Sequence, residues 1–374
     1  MKKKVRIFAI NPGSTSTKTA LFEEENKLFE ISVSHDAETL SKSVPDQLPD
    51  RVTFIQEAVK KAGYSLEGIT AFAGRGGGGV SCESGVYGVN ELMLRNARTG
   101  LSAMHPASLG SQIANAFTRL YGGSAFVVNP VNVDELDLVS RITGLKDIYR
   151  TSHLHALNQK EIGLRYAASK GRKYQEMNLI IAHIGGGITI TAHRHGKMVD
   201  TSDGIKGDGP MAPTRAGSIP AAPLIELCFS GRFSKEELLN RFTRDGGWMD
   251  HLGTSDAREV MCKIDTGDEY AKLVYEATIY QVAKNIGACA AVLCGEVEAI
   301  LLTGGIARDE YLVEELKKRI SFIAPVVVYP GEFELEALAS GALRVLRGEE
   351  QAKEYTGIPV WDPNTLTGYQ GYRH

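Results

Sequence analysis

The stretch that most constrains this chain is Leu179 to His193, LIIAHIGGGITITAH. It reads as an apolar strand, a turn of three glycines (Gly185, Gly186, Gly187) and a second strand of β-branched residues. Glycine carries no Cβ, so such a turn lets main-chain N–H groups approach an anion closely. A similar pattern stands near the start. Val5 to Leu21 gives an apolar run, the turn Asn11-Pro12-Gly13-Ser14, and the alternating TSTKTAL. Laid over each other without gaps, Asn11 falls on His183 and Thr19-Ala20 on Thr191-Ala192. A third strand ending in glycines, AILLTGGI, spans Ala299 to Ile306. One glycine turn between strands is commonplace. Three in this order, the first two about half the chain apart, predict two similar domains facing one cleft.

The 374 residues suffice for two domains with separate cores. With 43% hydrophobic and 23% charged residues and a net charge of −3, the composition is that of an ordinary soluble protein. It offers no basic surplus for nucleic acid. Cys82, Cys228, Cys262, Cys289 and Cys294 are scattered and lack metal-ligand spacing, so reduced thiols are expected. The apolar run after Lys2-Lys3-Lys4 is too short for a signal peptide and stops at Asn11-Pro12-Gly13. No segment approaches the ~18 apolar residues of a membrane span. The expectation is a cytoplasmic protein.

Taken in order, Thr15 to Leu21 alternates polar and apolar, so the first turn closes a hairpin. Gly13 to Lys18-Thr19 therefore fails as a Walker A loop: the second glycine is missing and a strand follows. Ser14, Thr15, Ser16 and Lys18 can hold phosphate from a hairpin or simply form a polar edge. Asp50 to Ala62 has helical spacing, with Asp50 as N-cap and Gly63 as stop. A short strand, Ile69 to Ala73, runs into Gly74-Arg75-Gly76-Gly77-Gly78-Gly79. An arginine in such a loop at a strand end can swing its fork onto a carboxylate or phosphate. Ser102 to Pro106 then leads into a helix, and His105 reads equally as a cap or core histidine and as an active-site residue. Ala125 to Val128 ends at Asn129-Pro130, with Asp134 beyond. Carboxylates in such places reach Mg2+ or cap helices.

His153 and His155 open a helix but stand two apart, so they do not share a face. His193 and His195 would share a strand face and read as a surface pair. Asp200 to Arg215 reads as a structureless loop, functional or disordered, with Asp200, Asp203, Lys206, Asp208 and Arg215. Helices are expected at Pro223 to Ser230, Ser234 to Thr243, Asp268 to Cys294 (buried between layers), Glu310 to Ile320 and Ala337 to Leu346. The last strand is Pro325 to Tyr329, followed by Glu332, Glu334 and Glu336. The tail from Glu354, with Trp361, Tyr355, Tyr369 and Tyr372, should lie over a domain surface.

Asn11-Pro12-Gly13-Ser14, Arg75 in its glycine loop, His105-Pro106, His155, His183 before the triple glycine, Arg215 and Thr303-Gly304-Gly305-Ile306 come in the order seen in the acetokinase family, which the chain resembles over nearly its whole length. Through VNPVNVDEL, HALNQK and YPGEFELEALASGALRVLRGEE it is most similar to the branch that acts on butyrate. The resemblance implies an α/β fold: two duplicated ribonuclease H-like βββαβαβα domains around an ATP cleft, as in acetate kinase, sugar kinases, actin and heat-shock chaperones. The expected domains are residues 1–150 plus about 342–374, holding acyl and phosphoryl groups, and residues 151–341, holding nucleotide. It further implies that Asn11, Ser14, Lys18, His183, Gly185, Gly186 and Gly187 hold phosphates, and that Thr303, Gly304, Gly305 and Ile306 lie against adenosine. Arg75 and Arg215 would hold the carboxylate and the moving phosphoryl group, His155 would stabilise the transition state, and Glu334 would be linked to Mg2+. Where acetate kinases carry an aspartate, this chain has Asn129, with Asp134 the nearest substitute. Gly77, Leu154 and Gly207 replace bulkier residues of acetate kinases and, with Met104 and His105, should form a roomier acyl pocket. The implied reaction is in-line phosphoryl transfer from ATP to a short fatty acid, in a homo-oligomer. An acetate or propionate kinase, or a non-catalytic nucleotide- or sugar-sensing member of the fold, are the other readings.

Overall fold

The computed structural model describes residues 4–102 and 104–364. It divides into two compact units, Met1–Asp134 with Phe333–His374 and Glu135–Glu332. Both divisions fall earlier in the chain than residues 150 and 341, for local reasons. The half-buried Glu135 carboxylate accepts from Lys160 Nζ (2.6 Å) and the Met198 N–H (2.9 Å), both of the second unit. At the other junction, Gly341 packs its backbone on Val128 of the first unit, so the helix Glu334–Arg347 belongs there from its first turn.

In the first unit, β1 (Arg6–Pro12), β2 (Ser16–Glu23), β3 (Asn26–Ser34), β4 (Ala71–Gly74), β5 (Val86–Gly88) and β6 (Ser124–Val128) form one sheet in the order β3-β2-β1-β4-β6-β5. The first three strands meander antiparallel, and β1, β4 and β6 run parallel. In the second unit, β7 (Asn178–Ile184), β8 (Ile188–Arg194), β9 (Lys197–Thr201), β10 (Ala299–Gly304) and β11 (Val326–Pro330) take the order β11-β10-β7-β8-β9. Read outward from β1 and from β7, the two orders coincide, with β5 added at one edge. The repeat in the sequence is therefore a repeat of topology. The ungapped overlay slips by one residue at the turn. Pro12 faces Thr17 across four loop residues, whereas Ile184 faces Ile188 across three.

The inner strands β1, β4, β7 and β10 are buried on both faces, which is why they read as unbroken apolar runs, whereas β11 at its sheet's edge is only half-buried. Phe8, Ile10, Phe72 and Phe117 centre the first core; Ile180, Ile190, Ile300, Leu302 and Trp248 lie in the second. No helix among the described residues is long and apolar enough to cross a membrane.

Several local expectations change. The helix at Asp50 begins at Leu48, because Pro49 fits its first turn and needs no N–H partner. Asp50 is thus not the cap, and its carboxylate takes Lys42 Nζ at 2.6 Å. The helix Glu269–Val292 buries one face, from Ala271 through Tyr275, Ile279, Val282 and Ile286 to Cys289, and leaves Tyr270, Leu273 and Tyr280 exposed. It lies on one side of the sheet rather than between layers. Asp200 and Thr201 complete β9, and Arg150 ties this strand to the following loop through Asp200 (2.7 Å) and Asp208 (2.6 Å), so that segment is not structureless. His193 is fully buried, against Tyr174 Oη (2.5 Å) and Gln159 Oε1 (3.1 Å), while His195 sits in the next turn at φ 51°. They are not a surface pair; burial and the Lys160 charge push His193 well below its ordinary pKa. In the tail, Tyr355 is buried. Its hydroxyl takes the Val80 N–H (2.9 Å) and Asn96 Nδ2 (3.0 Å) beneath the glycine loop. Tyr369 and Tyr372 lie outside the described residues.

Candidate active site

The first unit gathers its polar side chains at the carboxyl ends of β1 and β4. Gly74 and Gly110 allow this: a Cβ on Gly110 would fall 2.7 Å from the Arg75 nitrogen, and one on Gly74 3.1 Å from the Gly110 Cα. The end of β4 and the helix Leu109–Tyr121 meet closer than any side chain permits. The Arg75 N–H donates to the Ile10 carbonyl (2.9 Å), extending the β1–β4 ladder by one bond. Arg75 Nη1 then donates to Glu334 Oε2 (3.2 Å) and to Asn11 Oδ1 (3.4 Å), and Asn11 Nδ2 donates to the same Glu334 oxygen (2.5 Å). Glu334 stands in the first turn of its helix, preceded by Phe333 in the left-handed conformation at φ 49°. Asn11 and Glu334 are buried, at 7% and 8% exposure, which strengthens a charge-assisted arrangement of this kind. Glu334 Oε1 has no protein partner among the described residues.

The other candidates of this unit are placed differently. Ser14 is exposed in the hairpin turn, and Lys18 is exposed on β2 opposite Asn11. His105 takes the capping alternative: its Nδ1 accepts the Ala107 N–H (3.1 Å) to start the turn Pro106–Ser108. Met104 is exposed, and Gly77 has only Val131 Cγ2 (3.2 Å) and the Ser108 nitrogen (3.4 Å) close to where a Cβ would stand within 3.5 Å. Asn129 adopts φ 38°, where asparagine is among the residues that fit. It exchanges two hydrogen bonds with Gly85, from its own N–H (2.9 Å) and to its Oδ1 (2.8 Å). Asp134 is buried, its N–H donating to the Cys82 carbonyl (2.9 Å).

In the second unit, His155 at the start of the helix Ala156–Ser169 stacks on His183 of β7, ring centroids 3.8 Å apart and planes 11° from parallel. His155 Nδ1 meets Thr189 Oγ1 at 2.8 Å, and His183 Nδ1 meets Asn158 Oδ1 at 2.9 Å. Asn158 Nδ2 donates to the Glu332 carbonyl and to Thr303 Oγ1, so its Oδ1 is the acceptor and His183 carries its proton on Nδ1. Its Nε2 lies on the side of Gly185, whose Cβ would stand 3.0 Å from it. Arg215 lays its guanidinium on the same turn: a Cβ on Gly187 would fall 2.8 Å from Cζ, and one on Gly204 3.2 Å from Nη1. Burial lowers the Arg215 pKa and the Asp203 charge opposes it.

At the end of β10, Thr303 is fully buried and Gly304 stands at φ 95°, where a Cβ would fall 2.6 Å from the Ile184 carbonyl carbon. Gly304 exchanges hydrogen bonds with Gly331 (2.9 and 3.0 Å), Gly305 is open, and Ile306 begins the turn Ile306–Arg308. Leu154 is buried, and Gly207 has φ 83°, so the turn itself calls for glycine there. Asn158, Thr189 and Asp203, the last against His153 Nδ1 (2.8 Å), orient the histidines without having been singled out as partners. The spacing His155 to Asn158, one helical turn, is the signal that could have identified one of them.

The three glycines of the turn are not equivalent. Gly186 has nothing within 4 Å of a Cβ, whereas Gly187 has the Arg215 guanidinium. Gly187→Ala should displace that fork, which sits at the end of a flexible side chain, without unfolding the unit. We expect turnover to fall about a hundredfold with little change in thermal unfolding, and Gly186→Ala to stay close to the unmodified protein. Equal steady-state rates for the two variants would separate Arg215 from the chemistry.

The model of the acetokinase family matches residues 148–323. Butyrate kinase 1 of Clostridium acetobutylicum is 45% identical over 352 residues, 94% of this chain and 99% of the relative. Butyrate kinase 2 of the same organism is 42% identical over 94% of this chain. Among solved structures, the acetate kinase of Porphyromonas gingivalis superposes with a TM-score of 0.76 at 21% identity, covering 91% of this chain and all of the other. A propionate kinase from Francisella tularensis gives 0.73 at 20% identity over 90% of this chain and 98% of the other. These likenesses establish the fold, and the near full-length identity of the relatives shows that the chain belongs to the acetokinase family.

Proposed function

We propose that this protein transfers the terminal phosphoryl group of ATP directly to the carboxylate of butyrate, or of a branched short-chain acid, giving an acyl phosphate and ADP. The observation that carries this reading is the 45% and 42% identity, across nearly the whole chain, to two enzymes named butyrate kinase. A carboxylate oxygen forms the bond to phosphorus as the bond to the bridging oxygen of ADP breaks, and no proton moves. The acceptor is already a competent nucleophile, so the work is electrostatic. Arg75 and Arg215 supply the guanidinium forks, one fixed by Glu334 and Asn11, the other on the glycine turn. His155, oriented by Thr189 and the stacked His183, is the imidazole this reading assigns to developing charge.

ATP-dependent acyl hydroxamate formation in hydroxylamine, run across acids of increasing length, tests the reading. A fitted pocket discriminates by about 1–3 kcal/mol per methylene, so kcat/KM for butyrate should exceed that for acetate at least about tenfold. Equal or better use of acetate would make the protein an acetate kinase. ATP binding with no hydroxamate on any acid would make it a sensing member of the fold.

Mg2+ is the expected partner of the nucleotide, and it would neutralise phosphoryl oxygens when bound. Glu334 fits a supporting role, since its Oε1 is left over while Oε2 holds Arg75 and Asn11. Glu336 is engaged by Lys27 Nζ at 2.9 Å instead. Glu334→Gln keeps the shape and removes the charge, and should raise the Mg2+ needed for half-maximal rate about tenfold. Glu336→Gln should leave that titration in place. Coincident titrations for both variants would remove Glu334 from the metal site.

The reading includes a homo-oligomer. The helix Ala221–Phe229, AAPLIELCF, buries none of its residues, and Phe229 is 87% exposed. It borders a groove of about 520 Å³ lined by Leu224, Leu227, Leu238, Phe242 and Leu273. An apolar helix this exposed is suited to covering by a second copy of the chain. Light scattering should give at least a dimer, and Ile225→Glu with Phe229→Glu should reduce it to a monomer. A monomeric unmodified protein would sink this part.

A further inference from the structure

A buried arginine stands behind the first hairpin turn and has no acidic partner among the described residues. Arg51, fully buried on the helix Leu48–Lys61, donates from Nη1 to the Gly13 carbonyl (3.0 Å) and Thr17 Oγ1 (3.1 Å). From Nη2 it reaches the Ser14 carbonyl (3.3 Å) and Gln47 Oε1 (2.8 Å), and from Nε the same Gln47 oxygen (3.1 Å). All of these acceptors are neutral. Burial pulls the guanidinium down to about 10, so it stays charged at neutral pH. The nearby His35, on Thr17 Oγ1 at 2.8 Å, is lowered to about 4 by burial and by the Arg51 charge, and is uncharged there.

Burying a charge without a counter-charge is costly. The geometry shows what the cost achieves. In a trans peptide the carbonyl of one residue and the N–H of the next point in opposite directions. Drawing the Gly13 and Ser14 carbonyls onto Arg51 therefore turns the N–H groups of Ser14 and Thr15 away from it, on the side where both residues are exposed. Gly13 N–H to Ser16 O (2.8 Å) closes the turn. Two successive N–H groups aimed outward, with an uncancelled positive charge behind them, make a concavity for an anion.

We propose that Arg51 is a positioning residue for the phosphates of the nucleotide: it presets the turn Gly13–Ser16 and, through its uncompensated charge, raises the turn's affinity for phosphate. This rests on the phosphotransferase reading above, and it accounts for a buried cation that a purely structural role would have paired with a carboxylate.

Two substitutions separate its two effects in the full-length protein. Gln47→Glu keeps an oxygen at the same place on Arg51 but cancels the charge, at the loss of the Gln47 Nε2 bond to the Lys42 carbonyl (3.0 Å). Arg51→Lys keeps the charge and loses the fork that holds both carbonyls. Thermal unfolding, the Kd for ATP by calorimetry, and kcat with both KM values in the hydroxamate assay are measured for each. Each variant should weaken ATP about tenfold, with the KM for ATP rising and the KM for butyrate within about twofold. A folded Gln47→Glu that binds ATP like the unmodified protein overturns the role of the charge, and the same result for Arg51→Lys overturns the orienting role. Should Gln47→Glu fail to fold, Arg51→Lys decides alone. An unmodified protein that binds ATP but forms no hydroxamate counts against the phosphotransferase reading only, since the calorimetry still tests Arg51.

Discussion

The site in each unit depends on one steric constraint: backbones at the carboxyl ends of parallel strands come closer together than a Cβ would allow. Gly74 against Gly110 brings the end of β4 onto a helix start, and Gly304 against Ile184 does the same between β10 and β7. Ligands in open α/β sheets collect at these strand ends, because the chain leaves the sheet there and frees its N–H groups. A side chain at either glycine would push the strand ends apart. Arg75 in one unit and the Gly304–Gly331 exchange in the other hold their places because this approach is possible.

Electrostatics then divides the labour. In the proposed reaction, transfer between two anions needs positive charge that does not collapse onto the nearest carboxylate. Arg75 does contact one, but only one oxygen of Glu334, which it shares with Asn11. Its Nε is buried without an acceptor among the described residues, so the guanidinium is not fully spent. Arg215 lies on glycine and feels Asp203 only as a longer-range charge. Neither is enclosed by two carboxylates, unlike Arg150, which meets Asp200 and Asp208 directly and fixes a loop.

The inner strands, both hairpin turns and the glycine turns were readable in the sequence because period-two alternation and Gly-rich ends are local signals, whereas β3, β5 and β9 were not read. What was not readable came from distant partners. His193 looked superficial until Tyr174 and Gln159, from two other elements, enclosed it. The unit boundaries moved because Glu135 and Glu334 are held by residues far along the chain. Asn129 stands where acetate kinases carry an aspartate, and its φ of 38° and its bonds to Gly85 are a backbone setting that composition does not reveal. Arg51 escaped notice because arginine usually marks a solvent face, although Arg51, Ile55 and Val59 lie four apart on the buried side of their helix.

The duplication explains the fold better than it explains the chemistry. At the end of β1 the central strand carries Asn11, and at the end of β7 it carries His183, the positions that the repeat superposes. Asn11 is spent on Glu334 and Arg75, a group that handles charge. His183 is spent on Asn158 and on stacking with His155, a group that orients a ring. The hairpin beside each has diverged in the same sense. The first is backed by the buried Arg51, with side chains at its tip; the second has glycine throughout and receives Arg215 on its outer surface. Shared strand order fixes where functional groups can stand, while the residue at each strand end decides what is done there.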